Sequence, residues 1–213
     1  YLNGMLLEIE DEKINGVATD GHRLAFSSAT TTESGLSARN ILPRKAVLEL
    51  SKLLSATEET VELMVGASYI DVKSKNLRFS SKLIDGKYPD YDKVFPTGEP
   101  LPLQISKDLL QSALSRASVL SNEKYRGVRF QLTNNKLKLT ANNPEQESAE
   151  EELEVLYGGA ELEVGFNIGY LLDVLNSIES ETVNFEFYGE DSSCIIKEID
   201  SDNDVYVIMP MRL

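Results

Sequence analysis

"GMLLEIEDEKINGVATD", residues 4–20, is the stretch whose reading decides the fold. Apolar residues alternate at period two around a short polar break, which predicts a strand, a turn and a second strand. "GVRFQLTNNKLKLTANN", residues 127–143, carries the same pattern. Laid together without a gap at a shift of 123, Gly4 meets Gly127, Met5 meets Val128, Leu7 meets Phe130, Ile9 meets Leu132, Lys13 meets Lys136, Ile14 meets Leu137 and Ala18 meets Ala141. At a shift of 122, Leu50, Leu53 and Thr60 fall on Leu172, Leu175 and Thr182. Two copies of one βα design is the economical reading; a general likeness between any two α+β segments is the alternative.

Working outward, three helices are legible. "PRKAVLELSKLL" (43–54) has a proline at its start and Val47, Leu50 and Leu54 on one face. "SKDLLQSALSRAS" (106–118) begins on a Ser106 cap and repeats Leu110, Ala113, Leu114 and Ala117. "NIGYLLDVLNSI" (167–178) begins at Asn167 and repeats Ile168, Leu171, Leu172, Leu175 and Ile178. "TVELMV", "LRFSSKLI", "TVNFEFY" and "DVYVIMP" read as strands, so the class is α+β with largely antiparallel sheets. The proline-rich "VFPTGEPLPLQI" (94–105) marks a boundary near residue 98, dividing the chain into 1–97 and 98–213.

Composition narrows the function. The 213 residues are 41% hydrophobic, enough to bury a core in one or two domains. No apolar run is long enough to span a membrane and no signal peptide is visible, so a cytoplasmic location is expected. The chain opens on Tyr1 as though entering a strand in mid-domain, and preceding sequence is expected to be missing. The single Cys194 lies in the apolar run "CIIKEI" and reads as a buried structural thiol. One histidine and one cysteine give no metal-ligand spacing, so no metal or other cofactor is expected.

A net charge of -14, from 35 acidic and 21 basic residues, argues against general nucleic-acid binding. The distribution is uneven, however. Acid gathers in 145–154, 179–181 and 198–204, and base in "LPRK" (42–45) and "NEKYRGVRF" (122–130). The acidic run 145–154 lacks a calcium-loop pattern and reads as a solvated edge or a polar protein interface. Lys45 and Lys52, seven apart with Arg44 beside them, share a helix face expected to lie opposite the leucines. Such a stripe either holds phosphates without reading bases or is an ordinary wet face, and Glu49 between the lysines dilutes it.

His22 in "TDGHRL" is open to three readings: a catalytic base with Asp20 and a serine such as Ser27, a turn, or a binding surface. No G-x-S-x-G elbow, Walker A or G-x-G-x-x-G sequence accompanies it, which disfavours a hydrolase, a phosphotransferase or a dehydrogenase. Asp20-Gly21 is a good turn pair. The C-terminus is apolar where most tails are polar: Met209, Pro210 and Met211 suit either a buried strand end or an adaptable groove lining.

"VATDGHRLA" (17–25), "SKLIDGKYPDY" (81–91), "LSNEKYRGVRF" (120–130), "TANNPEQE" (140–147) and terminal "MPMRL" together closely resemble the bacterial sliding clamps, the beta subunits of DNA polymerase III. The resemblance runs in order across essentially the whole chain. It implies a DNA-clamp fold of repeated domains, with helices on the inner face and antiparallel sheets outside. Residues 1–97 would be the second clamp domain, truncated at its N-terminus, and 98–213 the third. It implies a non-catalytic processivity factor, a head-to-tail dimeric ring that slides on double-stranded DNA without sequence readout. Through short linear peptides it would tether DNA polymerases, the clamp loader and repair proteins.

The same resemblance assigns residues. The peptide pocket would take Leu2, Thr19, Gly21, His22, Arg23, Leu24, Pro89, Val94, Asn167, Tyr170, Val207, Met209, Pro210, Met211 and Arg212. DNA would meet Arg44, Lys45 and Lys52, with Tyr1, Arg126 and Arg129 as secondary contacts. Dimerisation would use Val119 and Leu120 with Glu145, Glu147 and Glu151; without a first domain the chain is expected to be monomeric. Asp92 and Lys93 stand where the family often has a more basic pair.

Overall fold

Alternating burial along each strand, set by side chains pointing to opposite faces, builds two sets of antiparallel sheets. The computed structural model describes residues 2–32, 35–55 and 58–212. Contacts divide the chain into two units. The first runs to Gly21 and resumes from Ala25 to Asp90; the second takes His22–Leu24 and everything from Tyr91 onward. The break falls at Asp90/Tyr91, ahead of the proline-rich stretch around residue 98. Tyr91 is buried and opens a short 3-10 turn, Tyr91–Val94, that belongs with the second unit.

The first unit is built from β1 (Gly4–Asp11), β2 (Lys13–Thr19), β3 (Arg23–Thr30), β4 (Leu36–Pro43), α1 (Arg44–Leu54), β5 (Glu62–Val65), β6 (Tyr69–Lys73) and β7 (Arg78–Lys82). Its strands follow the order β3-β2-β1-β4, beside an antiparallel β5-β6-β7 sheet. The second unit contains β8 (Leu101–Ser106), α2 (Lys107–Val119), β9 (Gly127–Thr133), β10 (Lys136–Asn142), β11 (Ser148–Glu154), β12 (Leu156–Tyr157) and β13 (Leu162–Asn167). It continues through α3 (Ile168–Ser177), β14 (Thr182–Phe187), β15 (Cys194–Glu198) and β16 (Asp204–Ile208). Here the order is β11-β10-β9-β13 in one sheet and β12-β8-β14-β15-β16 in the other.

Strand register carries the sequence repeat into three dimensions. Ile9 faces Ile14 in β1–β2, and Leu132 faces Leu137 in β9–β10, the same pairing displaced by 123. Each hairpin turn places a short polar residue in the left-handed region, Asp11 at φ 53° and Asn135 at φ 56°. Gly4 opens β1 where the backbone of β4 comes close: a Cβ there would stand 2.3 Å from the Leu42 carbonyl oxygen.

The helical half of the repeat needs correction. Gly4 pairs with Pro43 and Gly127 with Asn167, so the elements that follow are displaced by 124 rather than 122. That displacement lays Val47, Leu50 and Leu54 on Leu171, Val174 and Ile178, all turned toward a core. At 122, Leu53, which is 39% exposed, would match the 1% exposed Leu175. On α1 itself the expected face holds: Leu50 is buried and Val47 and Leu54 pack against the core, opposite the exposed Lys45 and Lys52, while Leu48 and Leu53 are exposed on the flanks.

The cores differ in composition. In the first unit Leu7, Leu42, Leu50, Ile70 and Val72 are buried together, with half-buried Met5, Val47 and Phe79 packed against them. In the second, Phe130 meets Phe166 edge-on at 5.3 Å and Phe185 stacks on Phe187 at 5.9 Å. Leu110, Ala113, Leu114 and Ala117 of α2 are fully buried in the same cluster, on the face that the sequence pattern predicts. Ser106 caps this helix by accepting from the Leu109 N–H at 3.5 Å.

Candidate functional site

Within the second unit, three chain segments meet around the start of α3. Asn167, the last residue of β13, accepts a hydrogen bond from the Tyr170 N–H at 3.3 Å and so fixes the first turn of the helix. The Asn167 amide donates to the Tyr125 carbonyl at 3.3 Å. Tyr170, one turn in, is half-buried, and the Arg23 guanidinium lies 4.3 Å from its ring centroid. Arg23 is held from its other side by Asp173, with Nη1 2.5 Å from Oδ2. Tyr170 and Asp173 are three apart on one helix, which puts both within reach of a single arginine.

The C-terminal tail is tied by its backbone to the same neighbourhood. The Met209 N–H donates to the His22 carbonyl at 3.0 Å, and the Met211 N–H to the Gly165 carbonyl of β13 at 2.7 Å. These bonds hold an apolar tail in a defined path where an exposed terminus would fray. Met209, Pro210 and Met211 remain half-buried, so they present apolar surface. Leu24 and Val207 are 2% and 0% exposed and can serve only as a floor.

His22 is thus drawn into the site through its main chain. Ser27, the serine of the hydrolase alternative, lies five residues along β3, roughly 16 Å away in an extended strand and out of reach for a nucleophile–base pair. Cys194 is fully buried, and burial pushes its thiol well above the usual range, which removes it as a nucleophile.

In the first unit, the Gly21 N–H donates to Thr19 Oγ1 at 3.1 Å, and Gly21 sits at φ +89° with open space around the missing Cβ. Glycine is required there for backbone conformation, not for room. Leu2 is 41% exposed and Pro89 half-buried; Val94, in the 3-10 turn of the second unit, is half-buried and Arg212 exposed. The Tyr88 hydroxyl donates to the Val17 carbonyl at 3.2 Å, anchoring the loop that carries Pro89.

The cations expected to meet DNA separate into kinds. Arg44 and Lys45 are exposed at the start of α1, where Pro43 precedes the helix. Lys52 is 72% exposed and pairs with Glu49 at 3.3 Å. Arg129 does not share a surface with α2 and α3. On β9, Val128, Phe130 and Leu132 turn to the core that includes α2 and α3, so Arg129 points to the opposite face, where it pairs with Glu163 at 2.6 Å. Arg126 is exposed in a left-handed backbone conformation at φ 47°. Tyr1 lies outside the described residues.

Among the residues expected at a dimer contact, Val119 is 78% exposed and Leu120 half-buried. Glu145 and Glu147 lie on the exposed turn before β11, where Glu147 accepts from the Asn143 amide at 2.7 Å. Glu151 is already engaged: alternation along β11 turns it toward α2, where both its oxygens accept from Arg116, at 2.7 and 2.8 Å. That arrangement holds the Glu151 carboxyl below its usual range.

Comparison with known proteins completes the picture. The DNA polymerase III beta subunit central domain matches residues 1–90, and the C-terminal domain of the same subunit matches 92–212. The chain belongs to the DNA polymerase III beta subunit family. The Escherichia coli beta sliding clamp is 47% identical over 213 residues, covering 100% of this chain and 58% of that protein. A Pseudomonas aeruginosa sliding clamp crystallised with griselimycin superposes with a TM-score of 0.97 at 47% identity, covering 100% of this chain and 58% of its own. The Thermotoga maritima beta subunit superposes at 0.93 with 27% identity, over 100% and 58% of the two chains. The chain therefore spans somewhat more than half the length of these clamps. No helix among the described residues is long and apolar enough to cross a membrane.

Three participants escaped the sequence reading. Asp173 was available from its spacing to Tyr170 on a helix face. Tyr125, 54% exposed beside Asn167, stood within a quoted motif but without a role. Gly165 acts through its carbonyl oxygen, which no side-chain pattern reveals.

Proposed function

We propose that the protein acts as part of a replication processivity clamp whose peptide-binding wall runs along the tail and the start of α3. The observation that carries this reading is the clamped set of Arg23, Tyr170, Asp173 and the methionine tail. An aromatic ring carries a cation over its face, itself held by Asp173, and the tail that bears two methionines is fixed by its backbone. Rigid aromatic surface beside adaptable methionines favours short peptides with large apolar side chains, and the fixed backbone limits the entropy cost of binding. His22 and Val94, in the same unit, complete the wall by family resemblance. The role is binding, with no bond made or broken.

In the whole protein, α1 faces duplex DNA as a sequence-indifferent phosphate contact. Dimerisation uses Val119 and Leu120 at the end of α2, with Glu145, Glu147 and Glu151 on and before the edge strand β11. The expected partners are polymerases, clamp-loading proteins and repair proteins in the cytoplasm.

The test is a fluorescence titration of this chain with a Gln-x-x-Leu-Phe peptide and with its Leu/Phe-to-Ala counterpart. Saturable binding only to the first, weakened about 5- to 30-fold by Tyr170→Ala in a chain with unchanged circular dichroism, is the expected result; loss of about 1–2 kcal/mol of aromatic contact and buried area predicts that size. Equal affinity for both peptides would remove the pocket from this surface.

A further inference from the structure

The helices of the two units carry cations in different states, and the difference bears on how a clamp holds DNA. On α1, Arg44, Lys45 and Lys52 stand against a single carboxylate, Glu49, which takes Lys52. Arg44 and Lys45 make no ion pair among the described residues and project from the first turn. On α2 Arg116 is bound twice by Glu151, and Lys107, whose Nζ donates to the Ile178 carbonyl at the end of α3 at 3.0 Å, keeps its charge but is balanced by its neighbour Asp108. Asp108 stands beside Lys107 on the exposed side, and the remaining open positions include Ser112 and Ser115. The one ionised group of α3, Asp173, is neutralised by Arg23, and its Asn176 accepts from Gln111 of α2 at 2.5 Å.

A cation paired with a carboxylate adds almost no field at a distance comparable to the screening length of about 8 Å. It also releases fewer counterions when a phosphate approaches, because the pair is close to neutral beforehand. We propose that, of the helices in these two units, α1 carries most of the attraction to the phosphate backbone of duplex DNA, through Arg44 and Lys45, and that α2 and α3 present a charge-balanced face that adds little to it. The grip that these two units give DNA is then uneven, strong on α1 and weak along α2 and α3. This inference rests on the clamp reading given above.

The test is the salt dependence of binding between the full-length protein and a fluorescent primer-template duplex, read as the slope of log affinity against log salt. Two variants are compared: Arg44→Gln with Lys45→Gln; and Lys107→Gln with Asp108→Asn, which removes both charges from the first turn of α2 and retains hydrogen-bonding amides. The expected result is a slope reduced by roughly 0.9 for each phosphate that the α1 variant no longer neutralises, and an unchanged slope in the α2 variant. Equal reductions in the α1 and α2 variants would overturn the uneven distribution and leave the clamp reading in place. A wild-type protein that forms rings yet shows no salt-dependent affinity would overturn both.

Discussion

The β1–β2 hairpin closes over a cluster in which Leu7, Leu42, Leu50, Ile70 and Val72 are buried while most of their neighbours stay half wet. The β9–β10 hairpin, identical in register, covers four phenylalanines together with the inner faces of α2 and α3. Register and stability are therefore set by different things. Alternation decides which residues point inward, since a one-residue slip would expose all of them. How much free energy those residues contribute depends on how many layers come to meet them.

The largest expected effect tests that difference directly. Phe130→Ala empties the centre of the aromatic cluster and should cost about 3–5 kcal/mol, whereas Leu50→Ala, at the edge of a partly wet cluster, should cost about 2 kcal/mol. Urea unfolding with hydrogen exchange read separately on β1–β2 and β9–β10 gives both values. Equal destabilisation by the two would mean that the first unit is packed as tightly as the second, and the contrast would fail.

A smaller effect separates the two helix starts. Asn167→Ala removes the side-chain cap of α3 and should cost about 1 kcal/mol. Pro43, its counterpart before α1, has no side-chain bond to give up. Thermal unfolding should show the difference, and a peptide titration should show that Tyr170 no longer holds its fixed position. An unchanged melting temperature for Asn167→Ala would indicate that β13 alone positions the helix.

The smallest effect is on pH dependence. Tyr188 is pushed up to about 12, chiefly by burial and further by its hydrogen bond to Glu186, and burial also raises Tyr157 and Tyr206 in the second unit. In the first unit Tyr88 is raised for the same cause. A raised pKa means that the folded state keeps the phenol protonated after the unfolded chain has begun to lose its proton. The stabilisation is complete below pH 10 and declines between 10 and about 12 for Tyr188. Alkaline titration followed by tyrosinate absorbance should show a late step that Tyr188→Phe abolishes. A Tyr188 that ionises at pH 10 would place it in water and weaken the account of a drier second unit.

The sequence alone determined the hairpins, the three helices and their buried faces, because periods of two and 3.6 follow from local backbone geometry. It also carried the family motifs, and with them most of the candidate site. What lay beyond it were the interactions joining distant segments. The true displacement of 124 in the helical repeat was settled by strand pairing, since only β1–β4 and β9–β13 hydrogen bonding shows which residues are equivalent. The engagement of Arg116 by Glu151, of Arg129 by Glu163 and of Arg23 by Asp173 likewise waited on tertiary structure. A charge in a sequence has a sign, but whether it is open to a partner or already neutralised depends on which residue, often more than thirty positions away, is folded against it.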